Sequence, residues 1–258
     1  MHAPAASLAS FSATVAFAFG VTCVSACGAT LGTDPQDGGQ GGTDGSAFAP
    51  RSDAATGDAA DAKVQSWPST RFASKVISFT PGKCAGYGAD AMPNIVLGPP
   101  IGYGVLQGST DVVSLGENGS IVLSVEPNEI VDGPGPDFTI FENAFWVGGN
   151  PNKPYADPAE VSISEDGFTW YTYPCTASAP PFGACAGWHP VYSTPTGDIS
   201  PLDTAKSGGD QYDLAGTGIA KARFIRIVDK SPAPCTDEFD THGFDLDAIA
   251  VIHGTIEP

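Results

Sequence analysis

From about Lys63 to the C-terminus, apolar positions come in short runs broken by Gly, Pro, Asn and Asp. These runs alternate with period two or form short apolar blocks: Lys75–Phe79, Asp111–Leu115, Ser120–Val125, Phe138–Phe145, Glu160–Ser164, Phe168–Tyr173, Ala222–Asp229 and Leu246–His253. No stretch sustains a 3.6-residue apolar stripe, so the pattern predicts strands rather than helices. Asp166-Gly167 divides Val161–Ser164 from Phe168–Tyr171. Asp-Gly favours the positive φ angles of a type I′ turn, which predicts a tight hairpin there, with Trp170 in the core. Many short strands joined by turn signals predict an all-β fold, a β-sandwich or jelly roll, over residues 63–258.

The N-terminus reads differently. Ala3 to Ala26 is small and apolar, with Phe11, Val15, Phe17, Phe19 and Val21 as its heavier members. That matches the apolar region of an export signal, although His2 stands where Lys or Arg is usual, and it is too Ala/Ser-rich for a membrane span. Val24-Ser25-Ala26-Cys27 resembles the bacterial lipobox, which implies cleavage after residue 26 and lipidation of Cys27. Gly28 follows it, a residue that the familiar sorting rule for such proteins associates with the outer membrane. From there to Ala62 the chain is mostly Gly, Ala, Asp, Thr and Ser, with too few apolar side chains to bury a core. Residues 27–62 are therefore expected to be a disordered tether with a reach of about 33 Å.

Composition supports this division. The 258 residues carry 11 Lys+Arg against 29 Asp+Glu, a formal net charge of −18, which argues against nucleic-acid binding. Gly (32) and Pro (23) are abundant enough to favour turns over long helices. Export makes oxidised cysteines plausible. With Cys23 removed and Cys27 lipidated, four remain, and the favoured pairing is Cys175 with Cys185 around a Pro-rich loop and Cys84 with Cys235 across the domain.

Three segments resemble discoidin-type, galactose-binding-like domains: Glu160–Trp170 their Ser-x-Asp-Gly hairpin, Ala222–Ile227 an Arg-rich strand, and Gly243–Ile249 their closing strand. The region from Ile77 to Ile252 also resembles uncharacterised bacterial cell-surface proteins. Their shared text includes Val96–Pro100, Ser109–Gly116 and Asp132–Asn143. The resemblance implies a galactose-binding-like sandwich at the cell surface and carries no established activity; similar sandwiches often hold a structural calcium.

Two kinds of chemistry stand out. Strand alternation puts Glu142 on the face of Phe138 and Ile140, where a carboxylate needs a partner or a metal. Arg223 or Arg226 would serve as the partner, and backbone donors would satisfy Asp247. The alternative is Ca²⁺, which takes six to eight oxygens; the candidate ligands are Asp132, Asp137, Glu142, Asp245 and Asp247, with Asp237 and Asp240 nearby. The second kind is carbohydrate stacking: Trp146, Tyr155, Trp188 and Tyr192 fall in loop-rich segments and can form an aromatic platform, or else cap the core. No Gly-x-Ser-x-Gly, His-Glu-x-x-His, Gly-x-x-x-x-Gly-Lys or Cys-x-x-Cys motif is present. The expectation is a non-catalytic, lipid-anchored surface module that binds a glycan or another surface ligand. An adhesion protein that meets another outer-membrane protein is the alternative, and a two-carboxylate glycoside hydrolase the third reading.

Overall fold

A computed structural model describes residues 64–236 and 241–256. The expected signal 1–26, the tether 27–62 with Cys27, and Asp237 and Asp240 lie outside the described residues. Among the described residues the only helical elements are three-residue 3-10 turns, and no helix is long and apolar enough to cross a membrane.

Thirteen strands build the fold. They are β1 (Lys75–Thr80), β2 (Val113–Ser114), β3 (Ser120–Ser124), β4 (Ile130–Val131), β5 (Phe138–Glu142), β6 (Phe145–Trp146) and β7 (Pro154–Tyr155). The chain continues through β8 (Ala159–Ser164), β9 (Tyr171–Thr172), β10 (Asp210–Tyr212), β11 (Lys221–Ala222), β12 (Phe224–Asp229) and β13 (Asp245–Val251). A five-stranded sheet runs β1-β3-β12-β8-β9, and a four-stranded sheet runs β10-β5-β13-β2. Every ladder is antiparallel. The protein is an all-β sandwich.

Alternation explains the core. Ile121 and Leu123 on β3, Val161 and Ile163 on β8, and Ile225 and Ile227 on β12 face Phe138, Ile140, Leu246, Ile249 and Val251 of the other sheet. β5 departs from simple alternation because all five of its residues are buried. Phe141, with Ala248 and Ala250 of β13, points away from the main core and is covered by Phe72 and Val191. The small alanines let the segments around Phe72 and Val191 lie close against the outer face. That cover brings residues 188–209 over the four-stranded sheet.

Both expected disulfides are present, Cys175–Cys185 with Cα atoms 4.5 Å apart and Cys84–Cys235 at 6.3 Å. Two local expectations fail. The β8–β9 connection is not a two-residue turn, because pairing resumes only at Tyr171 opposite Ile163. Asp166 organises the longer loop instead: its Oδ1 accepts the Phe168 and Thr169 amides at 2.8 and 2.7 Å, and Phe168 is left 89% exposed. Trp170 is half-buried rather than in the core, with the Arg226 guanidinium 4.6 Å over its ring.

Candidate functional site

Beside β10 the chain forms a cleft of about 370 Å³. Its making begins with Gly208-Gly209, both in the left-handed region at φ 72° and 74°. A Cβ on Gly208 would meet the Pro190 carbonyl oxygen at 2.0 Å, so only glycine lets these two segments approach. The Gly209 amide donates to Pro190 O at 3.1 Å and the Tyr192 amide to Ser207 O at 2.8 Å. This pairing delivers Tyr192 and His189 to one wall and Gln211 of β10 to the floor, while β6 supplies Trp146. β6 is held by its hairpin partner β7 and by the Trp146 amide donating to Val105 O at 2.8 Å.

Polar groups are interleaved with these rings. Asp210 is buried and accepts from His189 Nδ1 at 2.6 Å, while its other oxygen accepts the Gly187 amide at 2.7 Å and the Trp188 amide at 3.3 Å. With Nδ1 turned to the carboxylate, Nε2 is the ring nitrogen left to meet a ligand, on a ring that lines the cleft. Thr204, Lys206 and Gln211 complete the polar lining; Lys206 Nζ pairs with Asp203 at 2.9 Å, and Gln211 Nε2 donates to Thr204 O. His189 and Gln211 also line a smaller recess whose far wall is Trp188. Beyond Trp188 lies a second hollow of about 330 Å³ walled by Asn152, Pro154 and Pro181.

The four candidate aromatics are thus distributed unevenly. Trp146 and Tyr192 share the cleft, Trp188 stands between the two neighbouring hollows, and Tyr155 stacks on Phe145 with ring centroids 4.8 Å apart. None of the four is among the residues of the two core clusters. Trp188 is fixed by its Nε1–H on Cys185 O at 3.1 Å and by an edge-to-face contact with Phe182. The Cys175–Cys185 disulfide therefore holds the segment that positions Trp188.

The expected carboxylate set does not assemble as one site. Asp132 and Asp137 group with Asp213, their oxygens within 4.8 Å of one another. Asp137 is already satisfied: it accepts the Gly133 and Leu214 amides at 2.8 and 2.7 Å, and His253 Nδ1 lies 2.9 Å away. Asp245 and Asp247 are separated by an irregularity in the β13–β5 ladder, where Leu246 pairs with Glu142 but Ala248 pairs with Phe141. Asp247 accepts the Ile101 amide at 2.9 Å, and burial pushes its carboxyl well up.

Glu142 and Asp245 do meet. The Asp245 amide donates to Glu142 Oε1 at 3.4 Å, and Asp245 accepts from Ser114 Oγ and from Asn143 Nδ2, the latter at 2.9 Å. Neither arginine reaches Glu142: Arg223 pairs with Glu126 and Glu129, and Arg226 covers Trp170. Burial, reinforced by Asp245 and then by Asp157 and Asp210, pushes Glu142 well above the carboxylate range. Burial likewise lifts Asp245 to about 7 and Asp157 to about 6.

The sequence reading overlooked the Asp210–His189 pair, Thr204, Gln211 and Asp157. The signal for the first was Gly208-Gly209-Asp210, adjacent glycines that bring a carboxylate onto a strand. No family model matches the chain, and no curated protein matches it.

Proposed function

We propose that this sandwich is a non-catalytic carbohydrate-binding module, with Trp146 and Tyr192 as stacking faces and His189, Gln211 and Thr204 as hydroxyl partners. One observation carries the reading: an open cleft in which two half-buried aromatic rings stand among fixed polar groups, outside the core. Sugar rings present one apolar face and a rim of hydroxyls, which is the complement of such a lining. Among the described residues, no Asp or Glu lines the cleft. Trp188 and the neighbouring hollow extend the surface along which further sugar units of a polysaccharide would lie.

The same reading places the module at the cell surface, exported by residues 1–26 and held by a lipid on Cys27 through the tether 27–62. Losing one stacking ring forfeits about 1.5–3 kcal/mol of burial, or roughly a ten- to hundredfold loss of affinity. Tryptophan fluorescence titrations with polysaccharides should therefore show weakened binding in Trp146→Ala and in Trp188→Ala. Undiminished binding in both variants would refute the aromatic site.

A second reading, adhesion to another protein, is favoured by a different observation. Tyr103, Leu106, Val147 and Tyr155 are each more than half exposed, on the segments flanking β6 and β7. A chain that retained no glycan yet captured an outer-membrane partner through these side chains would support it.

A further inference from the structure

Three successive residues between the cleft and the hollow beyond Trp188 turn to one buried carboxylate. Ala186 exchanges backbone hydrogen bonds with Ala159 at the start of β8, at 3.0 and 2.9 Å, and Val191 bridges Gly208. Between these anchors Gly187 sits in the left-handed region at φ 90°, where a Cβ would meet the Asp157 carbonyl oxygen at 2.2 Å. The crossing chain then presents its nitrogens to Asp210 of β10. Oδ2 accepts the Gly187 and Trp188 amides at 2.7 and 3.3 Å, and His189 Nδ1 lies 2.6 Å from Oδ1. The Asp210 side chain is 4% exposed, against 44% for the imidazole that it holds. The Trp188 and His189 rings lie against each other, with centroids 3.8 Å apart.

We propose, resting on the carbohydrate reading of the cleft, that Asp210 is the positioning residue of an extended site. The Trp188–His189 ring pair that it fixes joins the cleft to the hollow beyond, so the ligand is a glycan chain bound along its length rather than by one terminal sugar. Continuity of the lining carries the proposal. His189 and Gln211 line both the cleft and the recess beside it, and Trp188 lines both that recess and the hollow beyond. A chain seated on Trp146 and Tyr192 therefore reaches Trp188 by way of the His189 ring without leaving the lining.

A carboxylate suits this place because both of its oxygens accept, one serving the two amides and the other facing the imidazole. Asparagine has a single acceptor oxygen, and its NH2 would face either the amide donors or His189 Nδ1. The substitution thus weakens the hold on Trp188 or on His189 while keeping the size of the side chain. Trp146 is held independently, by Val105 O and by β7, so the near end of the site stays in place.

The test is calorimetric titration of the full chain with oligosaccharide ladders of one to six units cut from cellulose, xylan, mannan and galactan, together with thermal melts. We expect affinity for at least one ladder to rise roughly tenfold or more with chain length, as sugar units reach Trp188. Asp210→Asn should lose most of that rise while binding two-unit chains nearly as the parent does, a split that general loosening of the fold would not produce. Trp188→Ala leaves the buried carboxylate in place and should lose the same rise, which keeps the test decisive if Asp210→Asn does not fold. Trp146→Ala should weaken short and long chains alike. Parent affinity already complete at one or two units would overturn the extended site and leave the cleft as a glycan site. Equal losses for short and long chains in Asp210→Asn, or a full rise kept in Trp188→Ala, would also overturn it. No binding at any length would instead refute the carbohydrate reading, and the extended site with it.

Discussion

At the scale of single residues, Glu142, Asp245 and Asp247 are buried carboxylates that no Lys, Arg or His among the described residues pairs with. A carboxyl whose folded pKa is raised keeps its proton in the folded state over a range where the unfolded chain has released it. Stability then falls as pH rises through that range. For Asp157, lifted from 3.8 to about 6, the loss is on the order of 3 kcal/mol once pH exceeds 6. Asp245, lifted to about 7, extends the decline to neutrality. The protein should therefore melt several degrees higher at pH 5 than at pH 8, and Asp157→Asn should flatten part of that slope. A melting temperature that is flat or rising from pH 5 to 8 would contradict this assignment. The burial of Glu142 was legible from its place on an apolar strand face. Its surroundings were not, because Asp157 and Asp210 reach it only through tertiary packing.

At the scale of elements, legibility followed length. The longer strands β1, β3, β5, β8, β12 and β13 each fall within or across an expected apolar run, since five to seven residues suffice to show a period of two. β4, β7 and β10 went unseen, because two or three residues show no period. β10 matters most, since it carries Asp210 and Gln211. Asp245 and Asp247, both candidate ligands, do not come together for a related reason: a ladder irregularity between Leu246 and Ala248 shifts the strand out of phase, and only the partner strand reveals it. The tight Asp-Gly turn failed because the side-chain cap of Asp166 offered the loop another conformation.

The disulfides separate two jobs at this same scale. Cys84–Cys235 closes a span of 151 residues, and removing it should cost about 5 kcal/mol against about 3 kcal/mol for the 10-residue span of Cys175–Cys185. Cys175→Ser with Cys185→Ser should nevertheless weaken glycan binding more, because Trp188 rides on that loop. Melting curves and titrations of the two double variants check both statements. Equal effects on binding would contradict the second.

At the scale of the molecule, the two larger sheets enclose the main core, and a covering segment over the outer face of the smaller of them shapes the proposed cleft. The aromatic residues of that surface were visible in the sequence as loop Trp and Tyr, but their grouping was not. Tyr192 and Trp146 line one cleft because Gly208-Gly209 lets the backbone at Pro190 pack close, a tertiary event without a local pattern. The anchoring account makes its own statement: Cys27→Ser should move the protein from the membrane to the soluble fraction, and persistent membrane retention would refute it. The central claim, that the cleft receives carbohydrate, is tested most directly by probing the chain on a broad polysaccharide panel, in calcium and in chelator. Trp146→Ala combined with Tyr192→Ala runs alongside. The account predicts that at least one polysaccharide is retained by the parent and released by the double variant. A panel with no binding, or binding that the double variant keeps in full, would contradict it.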